Sequence, residues 1–245
     1  MPFTKKELLT AVTALLFLVS IQHLRSQTNS ETSLYKWYDE SVGKENSEIN
    51  NGQLYLNYYK TSNNTHSYLN SETFENGNVV YENQTFNDVV LNYDIFKDNL
   101  ILKPNGINDR RWVILITQKI QSFTFAGKSF VNLNYNPTSK VDFIKGFYEE
   151  NFVGENFTFY IKHFKEKREV TSESKIYDDF KIKNSFVLSI KNKFYTIDSK
   201  RDLTDIFPEV KNKIEDYYLS NEKIEASNNT QFMESLMRYL NTILK

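Results

Sequence analysis

The chain has 245 residues, with 30 Lys and Arg against 31 Asp and Glu, and 40% of it is hydrophobic, with 16 Tyr and 19 Phe. That is long enough to bury a real core and too aromatic for a disordered tail. The absence of Cys excludes disulfides, thiol chemistry and a lipid-modified N-terminal cysteine, and a net charge of −1 implies no dominant polyelectrolyte partner.

The first twenty-seven residues, MPFTKKELLTAVTALLFLVSIQHLRSQ, have the layout of an export signal. Lys5 and Lys6 precede an apolar run from Leu8 to Ile21, and polar sequence follows at once. The run suits a signal core and falls short of the roughly 18–20 residues that cross a bilayer. Cleavage after Ser26 leaves bulky Leu24 at the minus-three position, and Arg25 and His23 flank the run. Two readings of residues 1–26 stand, a cleaved signal peptide and an uncleaved N-terminal anchor. The expected address is the periplasm or the cell surface, with an inner-membrane anchor as the alternative and membrane contact only through residues 1–26. Without Lys5, Lys6, Arg25 and Glu7 the remainder has a net charge of −3.

Residues 27–52 read as a polar linker that Trp37 and Tyr38 pin to the body. Residues 53–198 read as a β-rich body. Leu54–Tyr59 and Val79–Tyr81 are expected strands, with Asn76-Gly77-Asn78 as a turn between them. Residues 88–96 and 100–102 alternate as a hairpin around Asp98-Asn99. Trp112–Ile116 is continuously apolar, as in a strand buried on both faces. Residues 120–125 and 130–135 follow, joined by Ala126-Gly127-Lys128. Phe147–Phe152 and Phe157–Phe164 are strands around Gly154. Charged Lys165–Lys175 reads as an exposed loop or a strand extension. Ser185–Lys191 and Phe194–Asp198 form a hairpin closed by Asn192-Lys193.

Residues 199–245 change to a helical period. Ser199-Lys200-Arg201-Asp202 is a capping-box variant, with Leu203, Ile206 and Phe207 as its apolar stripe before Pro208. Val210, Ile214, Tyr217 and Tyr218 continue it. From Thr230, Phe232, Met233, Leu236, Met237, Leu240, Ile243 and Leu244 form a stripe that belongs to a core. The expected fold is therefore α+β, a mainly antiparallel sheet, sandwich- or barrel-like, followed by C-terminal helices.

Chemistry-bearing motifs are scarce. His66 and His163 lack metal-ligand spacing, and no G-x-S-x-G elbow, phosphate-binding glycine loop or EF-hand surrounds Asp94, Asp98 and Asn99. Glu149 and Glu150 are strand neighbours and point to opposite faces, so they do not act as a pair. No catalytic residue, metal or cofactor is assigned. Residues 31–110 carry 6 basic against 12 acidic residues, and residues 157–201 carry 11 against 6. Lys162, Lys165 and Arg168 beside Tyr160 form a basic strip suited to an anionic glycan rather than to nucleic acid. Trp37 and Trp112 are the aromatic platforms on which a sugar would stack.

The stretches VLNYDIFKDNLILKP, KIQSFTFAGKSFVNL, GFYEENFVGENFTFYIKHFKEK and NKFYTIDSKRDLTDIFPEVKNKI together resemble a recurrent type of exported Gram-negative protein with no established activity. The resemblance covers most of the chain beyond about Tyr55 and gives no residue a catalytic role. Taken with the export signal and the scarcity of chemical motifs, the expected function is a cell-envelope protein, non-catalytic, acting as a binding or structural accessory module with an envelope protein or an anionic glycan as partner. The alternative is a glycan-binding or glycan-processing protein.

Overall fold

The computed structural model describes residues 48–61, 65–104, 111–135, 141–172 and 174–244. Residues 1–47, and with them the export segment, most of the linker and Trp37, lie outside the described residues. Glu48–Lys245 is one compact unit.

Its eleven strands are β1 (Gln53–Leu54), β2 (Glu75–Tyr81), β3 (Gln84–Asp94), β4 (Asn99–Lys103), β5 (Val113–Ile114), β6 (Ile120–Phe125), β7 (Lys128–Asn132), β8 (Phe147–Val153), β9 (Thr158–Ser172), β10 (Lys175–Ile190) and β11 (Lys193–Ile197). They form one antiparallel sheet in the order β1-β5-β4-β3-β2-β6-β7-β8-β9-β10-β11. The helices follow: α1 (Lys200–Ile206), a 3-10 turn at Pro208–Val210, α2 (Lys211–Ser220), α3 (Glu222–Ser227) and α4 (Asn229–Ile243). The expected α+β class holds. The sheet is single and is not closed into a barrel.

Turns in this glycine-poor chain place mostly non-glycine residues, among them Asn, Asp, Glu and Lys, at positive φ. Glu82-Asn83 (φ 49 and 65) joins β2 to β3, and Lys191-Asn192 (φ 48 and 63) joins β10 to β11. Both are two-residue turns of the kind whose twist matches antiparallel strands. Two expected turns therefore move. Asn192 occupies the second turn position, with Lys193 already in the strand. Asn76-Gly77-Asn78 lies inside β2, at a register shift against β3. Gly77 is there because a Cβ would strike the Thr124 carbonyl of β6.

Other boundaries differ for equally local reasons. Of Leu54–Tyr59 only Leu54 is in a strand, and Tyr55 instead buries its ring beside Tyr68 and Ile101. Trp112 lies outside β5, which covers only Val113–Ile114. The charged stretch from Lys165 is a strand extension. β9 and β10 run on as a long ribbon whose opposite charges pair across the ladder, Arg168 with Asp179 at 2.6 Å and Lys183 with Glu166 at 3.8 Å.

The sheet rolls until the β3–β4 turn touches this ribbon. Phe96 from the turn, Tyr59 and Phe180 of β10 pack edge to face at 5.1–5.7 Å. The Asp178 amide donates to the Lys60 carbonyl at 2.8 Å, which pins the ribbon to the segment after β1. Inside the roll Tyr93, Phe123, Phe130 and Phe147 form an aromatic core. A second core lies where Phe159, Ile161, Phe186 and Leu188 meet Leu203, Ile214, Phe232, Leu236, Met237 and Leu240 of the helices. That is the expected apolar stripe of α4, and Asn228 caps this helix by accepting from the Gln231 amide at 3.1 Å. At α1 the Asp202 carboxylate reaches back to the Ser199 amide at 2.7 Å.

Candidate functional site

The sheet register places Phe123, Phe130, Glu149, Ile161, Phe186 and Ile197 in one cross-strand row. Directly opposed residues share a face, so Glu149 is a carboxylate in an otherwise apolar row. It is 4% exposed and His163 is 6% exposed. A buried carboxylate needs partners, and the neighbouring strands supply them. His163 Nε2 donates to Glu149 Oε2 at 2.5 Å, and Lys128 Nζ of β7 lies 2.8 Å from both carboxylate oxygens. Asn151 Nδ2 adds a bond at 2.8 Å and reaches Glu234 of α4 at 2.9 Å. On its other side the His163 ring meets Asn184 Oδ1 at 2.8 Å, while Asn184 Nδ2 donates to Thr230 of α4 at 2.7 Å. Burial alone pushes the Glu149 carboxyl up; the His163, Lys128 and Asn151 hydrogen bonds outweigh it and hold the group at about 2. Both Glu149 oxygens and both His163 ring nitrogens are thus engaged, the Asn151 Oδ1 atom is buried without a partner, and Phe130 lies beside the imidazole at 6.2 Å. The cluster holds β7, β8, β9, β10 and α4 together and presents no free nucleophile or base to solvent.

A second cluster uses the β3–β4 turn. Asp98 Oδ2 pairs with Lys162 Nζ at 2.6 Å, and Asp98 Oδ1 accepts from the Tyr93 hydroxyl at 2.5 Å. Lys162 also donates to the Phe147 carbonyl at 3.0 Å and lies over the Tyr148 ring. Burial pushes its ammonium below the usual lysine range, and Asp98 opposes that shift. The turn comes this close because Gly146 (φ +69) has no side chain; a Cβ there would overlap Asp98 Oδ2.

The proposed basic strip does not converge. Tyr160, Lys162 and Arg168 share one face of β9 by alternation, and Lys165 is on the other. Tyr160 is buried with Tyr148 and Val187, which pushes its hydroxyl up to about 12. Arg168 is spread along the exposed ribbon and paired with Asp179. Lys165 Nζ bonds the His66 carbonyl at 2.6 Å, and burial takes its ammonium down to about 8. Trp112 is half-buried, with its ring against Tyr55 (6.2 Å, stacked) and Phe74 (4.6 Å). His66 and His163 serve different clusters, and among the described residues no three His, Cys, Asp or Glu are grouped as metal ligands.

One open concavity borders the last strand. A groove of about 640 Å³ lies between the β10–β11 turn, α1 and the end of α4. Ile190, Tyr195, Ile206, Phe207, Ile243 and Leu244 make it apolar, and Lys191, Asp205, Glu209 and Asn156 supply its polar groups. That size and mixture fit a small-ligand or side-chain site. The sequence carried only its parts, a strand, a capped helix and a C-terminal stripe, which meet through tertiary packing. No protein-family model, curated protein or solved structure matches this chain. Among the described residues no helix is long and apolar enough to cross a membrane.

Proposed function

We propose that this is an exported cell-envelope protein, a non-catalytic binding module whose ligand contact is the groove beside β11. The observation that carries the reading is a contrast. Glu149, His163, Asp98 and Lys162 are consumed by internal hydrogen bonds, whereas the groove exposes apolar side chains with a charged rim. Buried groups that hold strands together serve stability, and an open apolar concavity serves recognition. Its ligand is an elongated apolar group with a polar end that meets Lys191 or the carboxylates of Asp205 and Glu209. The export half of the reading rests on Lys5, Lys6 and the apolar run Leu8–Ile21.

The glycan alternative keeps one support, the exposed Tyr195 ring in the groove, and loses weight at Trp112, whose ring packs on Tyr55 and Phe74. Titration with anilinonaphthalene sulfonate tests the groove. Saturable fluorescence enhancement is expected, and Ile243→Glu should abolish it; enhancement that survives this substitution counts against the site. A glycan array tests the alternative, with Tyr195→Ala as the control. Cell fractionation with mass spectrometry of the N-terminus tests the address, and recovery of cytosolic protein with Met1 intact would sink it.

A further inference from the structure

We propose that β11 is the contact strand of a homodimer, pairing antiparallel with β11 of a second copy about a twofold axis at Tyr195. The inference does not depend on the ligand of the groove. It begins from hydrogen-bond accounting. The Lys191-Asn192 turn makes Ile190 and Lys193 the closing pair, and bonded pairs alternate from there, so Tyr195 and Ile197 are bonded to β10. The N–H and C=O groups of Phe194 and Thr196 therefore point away from the sheet. Among the described residues no backbone group outside the hairpin bonds to either. Lys193, Tyr195 and Thr196 are exposed.

The remaining edges of the sheet are not equivalent. Beyond β11 the outer edge of β10 is covered at Asp178, which bridges to Thr61. At the opposite end β1 is only Gln53–Leu54. Edge β11 is thus the place where main-chain donors and acceptors stand ready for another strand. Because β1 is too short to accept β11, pairing does not propagate. The closed solution is isologous, the same strand from both copies.

A twofold axis at Tyr195 sets Phe194 of each copy against Thr196 of the other. The outward groups then exchange N–H···O bonds in both pairs, and the two Tyr195 residues form the non-bonded pair between them. The charges agree with this direction. Lys191 and Lys193 lie at one end of the strand and Asp198 at the other. Antiparallel pairing puts Asp198 of the second copy opposite Asn192, between the two lysines. The cations next to Asp198 are turned to their own helices, Arg201 toward Asp205 and Lys200 over the Tyr218 ring. Parallel pairing would set Lys193 against Lys193 and is disfavoured.

The absence of cysteine in the chain makes the test direct. Opposed residues of a non-bonded pair have Cα atoms about 4.5 Å apart, within disulfide reach. Under mild oxidation the full chain carrying Tyr195→Cys should form a covalent dimer, and the chain carrying Lys193→Cys, opposed to Ile197, should not. Sedimentation equilibrium of the full chain should show a dimer, and Thr196→Pro should raise its dissociation constant at least about tenfold by removing an outward N–H without touching the β10 ladder. Association through the apolar run 8–21 is indifferent to that substitution. A monomeric wild type, an undiminished Thr196→Pro dimer of folded protein, or equal cross-linking of both cysteine variants overturns the proposal. If Thr196→Pro fails to fold, the cysteine pair decides alone.

Discussion

Replacing Glu149 by Gln removes the charge at the centre of the buried cluster while keeping its shape. In the folded protein the carboxyl is held at about 2 against an ordinary value of 4.5. At about 1.4 kcal/mol per pKa unit, the ionised group contributes about 3 kcal/mol to folding. The sign follows from a depressed carboxylate. Its contribution is full above pH 4.5 and disappears as pH falls toward 2. The Gln side chain also leaves the Lys128 ammonium without its counter-charge and offers one acceptor oxygen where the carboxylate offered two. Urea unfolding of wild type and Glu149→Gln over pH 2–7 measures this. The stability difference should be about 3 kcal/mol at pH 7 and shrink below pH 4.5, with the remaining carboxylates cancelling between the two proteins. A difference under about 1 kcal/mol at pH 7, or one that does not change with pH, refutes the buried charge-assisted network.

Gly146→Ala should lower stability by at least about 1–3 kcal/mol in thermal melts, since the residue has φ +69 and its new Cβ would displace Asp98 from Lys162. Asp98→Ala should cost more than Lys162→Met, because the first strands a buried ammonium and the second leaves Asp98 with the Tyr93 hydroxyl; paired urea midpoints measure the order. Leu236→Ala, in the fully buried stripe of α4, should cost about 2–5 kcal/mol in the same assay. Lys165 should acetylate with an inflection near pH 8, its neutral amine appearing above that value, when labelling by acetic anhydride is followed by mass spectrometry.

Elements with strong local signals were readable from sequence. The hairpin of β3 and β4, the Ala126-Gly127 turn, the Asp202 reach-back at α1 and the α4 stripe each depend on neighbours within a few residues. The failures have long-range causes. Asn76-Gly77-Asn78 has turn composition, yet β6 approaches so closely that Gly77 serves packing. Charged Lys165–Lys175 leaves a loop and a strand extension both open on sequence alone, and the extension is what forms, its charges neutralising each other across the ladder. Opposite faces for Glu149 and Glu150 were legible from alternation. The burial of Glu149 was not, since Lys128, Asn151 and His163 come from separate positions in three strands. The site residues read from the sequence were chosen by type. Packing decides whether a Tyr or Lys of that type meets solvent, and it turned Tyr160 and Lys162 inward.

The buried cluster lies where the sheet and the helices of the compact unit are tied together by side-chain hydrogen bonds. The aromatic core inside the roll ends at Phe130 and Phe147, and the helix-covered core begins at Phe159 and Ile161. Glu149 lies on β8, which reaches both cores through Phe147 and Phe152, and His163 lies on the adjacent β9, with Asn151 and Asn184 extending the network to Glu234 and Thr230 of α4. An apolar residue at position 149 would continue the row from Phe130 to Ile161 but would offer no directional bonds to the neighbouring strands. A carboxylate there demands partners in fixed places, and each partner belongs to a different strand or connects to the helix. Helix α4 is thus held by shape through Leu236 and Leu240 and by direction through Thr230 and Glu234. That fixed seat keeps Ile243 and Leu244, at the far end of the same helix, in the wall of the groove beside β11.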